Sequence, residues 1–191
     1  MEALLHNIRQ CQICKQHLPL GARPVVTAHP NSKIVIIGQA PGIKVHASGI
    51  PWDDASGKQL RKWLNVSEDE FYDKTKFAIM PMGFCYPGKG KSRDLPPRPE
   101  CAPQWHQPLF NIMNNVELVI LIGMYAQKYY LKENTKRTLT ETVANYKHYL
   151  PKYFTLPHPS PRNRFWLTKN PWFNEEVLHV LRERVHMAIK N

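Results

Sequence analysis

The sequence predicts an α/β protein: a three-layer α/β/α sandwich with a central four-stranded parallel sheet, in a single domain covering residues 1–191. Three observations lead there. Four short apolar runs, beginning at Lys33, Phe77, Val116 and Phe154, alternate with stretches whose apolar residues recur at helical spacing, which implies parallel crossovers. The first and third of these runs contain IVII and LVILI, apolar at every position, as strands covered by helices on both faces must be. Finally, 191 residues suffice for one substantial core and fall short of two comfortable ones.

Taken in order, residues 1–18 read as a helix or turn carrying Cys11 and Cys14, followed by the connector PLGARPVVTAHPNS. The first strand, Lys33–Gly38, runs into Gly-Gln-Ala-Pro-Gly, a sharp polar turn able to hold a ligand. A polar loop ending in SGIPWDDASG leads to GKQLRKWLNV, whose Leu60, Trp63 and Leu64 share one helical face. FAIMPMGFC reads as the second strand. The basic, proline-rich YPGKGKSRDLPPRPEC that follows cannot be a helix or a central strand. Trp105–Asn114 reads as a helix, Val116–Gly123 as the third strand, and another helix is expected from Tyr125. FTLPHPSPRN opens on a short fourth strand, and Asn174–Lys190 is a last amphipathic helix. In such folds ligands bind at the carboxyl ends of the strands, which gathers the Gly38 turn, the Cys85 loop and the His158 loop on one rim.

Charge narrows the partner. Lys and Arg number 26 against 15 Asp and Glu, a net +11, so nucleic acid is the first candidate, the alternative being a basic protein whose charge serves solubility. The N-terminus lacks a cationic stretch followed by an apolar core, and no apolar run approaches the ~18 residues a membrane span needs. A cytoplasmic monomer with no membrane partner is the expectation.

Four cysteines, Cys11, Cys14, Cys85 and Cys101, combine a C-x2-C pair with a second pair far along the chain. Two such pairs can close a tetrahedral zinc site or hold an iron–sulfur cubane; the alternative is no metal, with buried thiols acting as small apolar residues.

The order of motifs resembles the uracil-DNA glycosylase superfamily. GQAPG at 38–42 is similar to its first active-site motif, GIPWDDASG at 49–57 to the Gly-x-Pro-aromatic segment that follows, and HPSPRN at 158–163 to the second motif. The cysteine spacing resembles the iron–sulfur (family 4) glycosylases, whereas HPSPRN looks more like the single-strand-selective monofunctional type. The resemblance implies a monofunctional DNA-repair glycosylase that hydrolyses the N-glycosidic bond of uracil, or a related deaminated base, flipped out of DNA. It also implies a [4Fe-4S] cluster on the four cysteines, with zinc or no metal as the alternatives.

Roles follow residue by residue. The departing base gains negative charge, so a donor must wait where that charge develops, and the resemblance assigns this to His158. Gln39 is placed near the attacking water. Gly38, Ala40, Pro41 and Gly42 bracket the pocket, Trp52 stacks on the base, and Ser160 and Asn163 complete the substrate contacts. Lys89, Lys91, Arg93, Arg98, Arg162 and Arg164 are expected on DNA phosphates, with Phe165 as a wedge filling the gap the flipped nucleotide leaves. Without the motifs, His158 would read as a surface or capping residue, and Trp52, Phe165 and Trp166 as core. Two departures stand out. Relatives carry an acid in the turn where this chain has Gln39 and Ala40, leaving Asp53 and Asp54 as substitutes or helix caps. Relatives also carry a base-reading Asn after the second strand, where this chain has Pro81 and Met82. The rival reading is a non-catalytic nucleic-acid-binding member of the fold. A nucleoside or nucleotide hydrolase is a third, which the charge and wedge disfavour.

Overall fold

The computed structural model describes residues 1–190. Four parallel strands, β1 (Ile34–Ile37), β2 (Phe77–Ile79), β3 (Leu118–Ile122) and β4 (Tyr153–Leu156), form one sheet in the order β2-β1-β3-β4. Ile34 stands level with Phe77 on one side and Leu118 on the other, and Val119 with Tyr153. The chain therefore leaves β1 first to one side and later to the other, and the carboxyl end of β1 is where a crevice opens in such sheets.

Nine α-helices surround the sheet in the described residues: α1 (Glu2–Arg9), α2 (Ile43–Ser48), α3 (Ala55–Leu64), α4 (Glu68–Tyr72), α5 (Cys101–Phe110), α6 (Met124–Leu131), α7 (Leu139–Ala144), α8 (Arg164–Lys169) and α9 (Leu178–Lys190). Period-2 alternation sorts the strand residues between two cores. Ile34, Ile36, Leu118 and Ile120 pack with Leu60, Trp63 and Leu64 of α3 and with Leu181 and Val185 of α9. Val35, Ile37, Val119 and Leu121 face the other way, onto Leu5 and Ile8 of α1, Ala102 and Leu109 of α5, and Ala126 and Leu131 of α6. This is the three-layer α/β/α arrangement expected, and each fully buried Ile or Leu in it contributes roughly 1.5–3 kcal/mol.

The differences from expectation are local. FAIMPMGFC pairs as a strand only through Ile79, because Pro81 has no N–H to give a ladder. Its outer edge is covered by the 25–28 segment, where Thr27 and Ile79 exchange backbone bonds of 3.0 and 2.7 Å. The loop after GQAPG contains the single-turn helix α2, and α5 starts at Cys101, four residues before Trp105. The segment 86–100 is neither helix nor central strand.

Candidate active site and cysteine cavity

The carboxyl ends of β1, β2 and β4 open into one cavity of about 670 Å³, within the range of ligand pockets. Its wall includes Gly38, Gln39, Ala40, Pro41 and Gly42 from the first turn, Trp52 and Asp54 from the loop before α3, and Pro81 beyond β2. Lys89, Arg93 and Asp94 from the basic loop and His158, Ser160, Arg162 and Asn163 after β4 complete it. The three loops that the sequence placed on one rim do meet.

The turn's backbone is stitched to the β2 loop: Met82 N–H donates to Gly38 O (2.9 Å) and Gly83 N–H to Gln39 O (3.0 Å). Among the described residues the N–H groups of Ala40 and Gly42 have no protein acceptor, so they remain donors for a ligand. Trp52 lies over Gly38, where a Cβ would meet the indole at 2.9 Å. The Trp52 backbone is left-handed, φ +57°, a conformation that costs a bulky residue free energy and concentrates at functional sites. Its surroundings enforce it. Tyr72 Oη donates to Pro51 O at 3.0 Å, and Gly57 lies so close that a Cβ there would sit 1.7 Å from the Trp52 carbonyl oxygen. That contact explains the glycine in Ala-Ser-Gly.

His158 is half-buried, and its ring lies 5.6 Å from the Trp52 ring, tilted by 36°. The Asn163 side-chain amide donates to the His158 carbonyl at 2.6 Å and fixes the backbone that presents the imidazole. No described residue hydrogen-bonds either ring nitrogen. Burial holds the imidazole below its usual pKa, with Asp54 pulling the other way, so the ring enters the pocket as a neutral donor. Asp54 itself caps α3, its Oδ1 accepting from Gly57 N–H at 2.8 Å. Asp53 is exposed and outside the cavity wall.

Other expected contacts are distributed less uniformly. Gln39 directs its amide nitrogen to Leu95 O (3.3 Å), tying the turn to the basic loop. Arg162 does the same from the opposite side, reaching Ser92 O at 3.4 Å, and Ser160 Oγ caps the turn at Pro161–Asn163 through Arg162 N–H. Lys89 and Arg93 line the cavity, while Lys91 and Arg164 are exposed outside its wall. Arg98 lies elsewhere, in a two-pronged bond with the Glu100 carboxylate that holds the latter at a pKa of about 2. The aromatic pair after HPSPRN divides: Phe165 is 81% exposed, whereas Trp166 packs on Phe173 and donates to Thr140 Oγ1 at 2.8 Å.

Cys11, Cys14, Cys85 and Cys101 line a second cavity together with Leu18, Ala22, Pro24, Phe84, Arg98 and Trp105. All four are free thiols; Cys14, Cys85 and Cys101 are buried. Burial pushes Cys85 to about 11 and Cys101 to about 12. Burial also raises the Cys14 thiol, with the nearby Glu100 carboxylate adding to the rise. Among the described residues, no three His, Cys, Asp or Glu side chains are arranged to hold a metal ion.

Sequence reasoning missed two groups here. Asp94, one of two acids in the basic loop with Glu100, lines the cavity. His106, on α5, is 2% exposed; its Nε2 meets Pro81 O at 3.1 Å and its Nδ1 the Tyr130 hydroxyl at 2.6 Å, with the ring stacked between Phe84 and Tyr130. Burial drops its pKa to about 4, so it is neutral at pH 7 and donates through Nε2. An acid directly after Lys89, Lys91 and Arg93 was a readable signal for Asp94. Nothing in sequence marked His106.

The parallel α/β sheet thus carries a strand-end cavity that combines a fixed imidazole, an indole and a basic rim. The chain belongs to the uracil DNA glycosylase superfamily, whose family model matches residues 25–182. The match spans the turn, Trp52, the basic loop and His158. No helix among the described residues is long and apolar enough to cross a membrane.

Proposed function

We propose that this protein is a monomeric, monofunctional glycosylase that removes uracil, or a related deaminated base, everted from DNA. The observation that carries the reading is the Trp52–His158 pair: two rings 5.6 Å apart in one strand-end cavity, one a stacking surface and the other with both nitrogens free of hydrogen-bond partners among the described residues. A flipped base stacks against the indole, gaining roughly 1–3 kcal/mol. As the C1′–N bond stretches, negative charge collects on the base, and the neutral His158 N–H meets it. Lys89, Arg93 and Arg162 surround the mouth as phosphate contacts, and Phe165 stands exposed as the wedge. Arg98, committed to Glu100 at the cysteine cavity, would instead support that site.

The four cysteines are the ligands we propose for a [4Fe-4S] cluster. Zinc would need its thiolates within ~2.3 Å of a single centre. Four thiols spread around a shared cavity fit a polynuclear cluster better, and a directly bonded cation would offset the cost of a buried thiolate. Such a cluster would fix the Cys85–Cys101 loop beside the pocket. Anaerobically purified protein should be brown with a broad band near about 400 nm that Cys85→Ser abolishes, whereas zinc alone by elemental analysis would overturn the cluster.

Activity is tested with labelled single- and double-stranded oligonucleotides containing uracil, hypoxanthine or xanthine, followed by alkali. Strand breaks at one of these bases support the enzyme. Salt-sensitive binding without breaks at any of them supports the non-catalytic alternative.

A further inference from the structure

The first turn has no carboxylate, yet hydrolysis needs a group to take a proton from water. We infer that Asp94, carried on the basic loop, is the catalytic carboxylate that activates water in this site, an inference that rests on the glycosylase reading above. The Asp94 carboxylate reaches the turn from across the cavity: a Cβ placed on Gly42 would touch its Oδ2 at 3.8 Å. No hydrogen bond or ion pair from a described residue ties that carboxylate down. Its backbone is held instead. Gly88–Leu95 closes on itself through Leu95 N–H to Gly88 O (2.8 Å) and Gly90 N–H to Arg93 O (2.7 Å). Gln39 then grips this hairpin at Leu95 O, one residue from Asp94. The residue standing where an acid was expected thus positions the segment that brings one.

Asp54 is the competing acid, and its placement suits another task. One of its oxygens is occupied by the α3 cap, and it lies close enough to His158 to raise that ring's pKa, on the side where the base departs as an anion. A second negative charge there opposes leaving-group charge. Asp94 is on the side of the turn. In the step, water oxygen bonds to C1′ as the C1′–N bond breaks, its electron pair goes onto the base, and the Asp94 carboxylate takes the water proton. The products are an abasic sugar with a C1′ hydroxyl and the free base, which regains a proton from Asp94 or solvent. An acid in a rim of Lys89, Arg93 and Arg162 otherwise only weakens phosphate binding, and this separates the two roles by sign.

The test compares wild type, Asp94→Asn, Asp94→Glu and Asp54→Asn. Single-turnover excision is measured, with binding to DNA carrying a neutral tetrahydrofuran or a cationic pyrrolidine abasic analogue, the latter mimicking the oxocarbenium-like sugar. Asp94→Asn should slow excision roughly 100-fold or more, leave tetrahydrofuran-DNA binding equal or tighter, and abolish the preference for pyrrolidine, while Asp94→Glu recovers part of the rate. Asp54→Asn should keep the pyrrolidine preference. Excision by Asp94→Asn at the wild-type rate, a pyrrolidine preference undiminished in Asp94→Asn, or no such preference in wild type overturns the assignment. A wild-type protein that excises none of the bases but shows an Asp94-dependent pyrrolidine preference refutes the glycosylase reading while keeping Asp94 at the sugar.

Discussion

Lowering the pH should destabilise this protein through His106 in a way that can be worked out from its surroundings. The ring is 2% exposed, stacked on both faces and bonded at both nitrogens, and its pKa falls to about 4 from 6.5. Below pH 6.5 the unfolded chain takes up a proton that the folded chain refuses. His106's contribution is therefore complete above that value and is lost as the pH drops toward 4, by about 3 kcal/mol in all, since each pKa unit is worth about 1.4 kcal/mol. Urea unfolding of wild type and His106→Phe across this range is the assay. The variant should be less stable at pH 7.5 by about 1–3 kcal/mol, because Pro81 O and the Tyr130 hydroxyl lose their partner, yet its stability should fall less steeply with acid. His158 and His46, also depressed by burial, add the same slope to both proteins and drop out of the comparison. Parallel pH profiles for the two proteins would refute the reasoning.

Other consequences follow from the geometry. Gly57→Ala puts a methyl 1.7 Å from the Trp52 carbonyl and should release Trp52 from its left-handed conformation, detected as altered tryptophan fluorescence together with weaker abasic-DNA binding. Phe165→Ala removes an 81% exposed ring and should reduce excision from duplex more than from single strands while leaving the melting temperature unchanged, whereas Trp166→Ala should destabilise by about 3–5 kcal/mol. Because His158 is held below its ordinary pKa, single-turnover excision should stay level from about pH 7 to 8.5. A tenfold loss per pH unit would mean that the imidazolium is required instead.

How much of this was readable in advance depended on periodicity. IVII and LVILI announced buried strands because nothing in them could face water, and the turn, Trp52 and His158 converge because strand ends share a rim. Short elements were less legible. The six residues of α2 are too few to establish a helical period, and Pro81 ended β2 inside an apolar run. Phe165 and Trp166 could not be assigned until the phase of α8 was known, since one residue of rotation decides which ring meets Phe173. Asp94 and Gln39 lie 55 residues apart in sequence, and only the folded loop makes them neighbours through Leu95. The four cysteines did share a cavity as their spacing implied, but Arg98, read as a phosphate contact, turned toward Glu100 beside them.

The account stands on His158 as the donor facing the leaving base, and single-turnover excision by His158→Ala against wild type tests it most directly. The rate should fall by roughly 10²–10³-fold, with affinity for tetrahydrofuran-containing DNA retained, because the ring acts on charge that exists only as the bond breaks. Excision by His158→Ala at the wild-type rate, or a loss of rate matched by an equal loss of DNA binding, would contradict it.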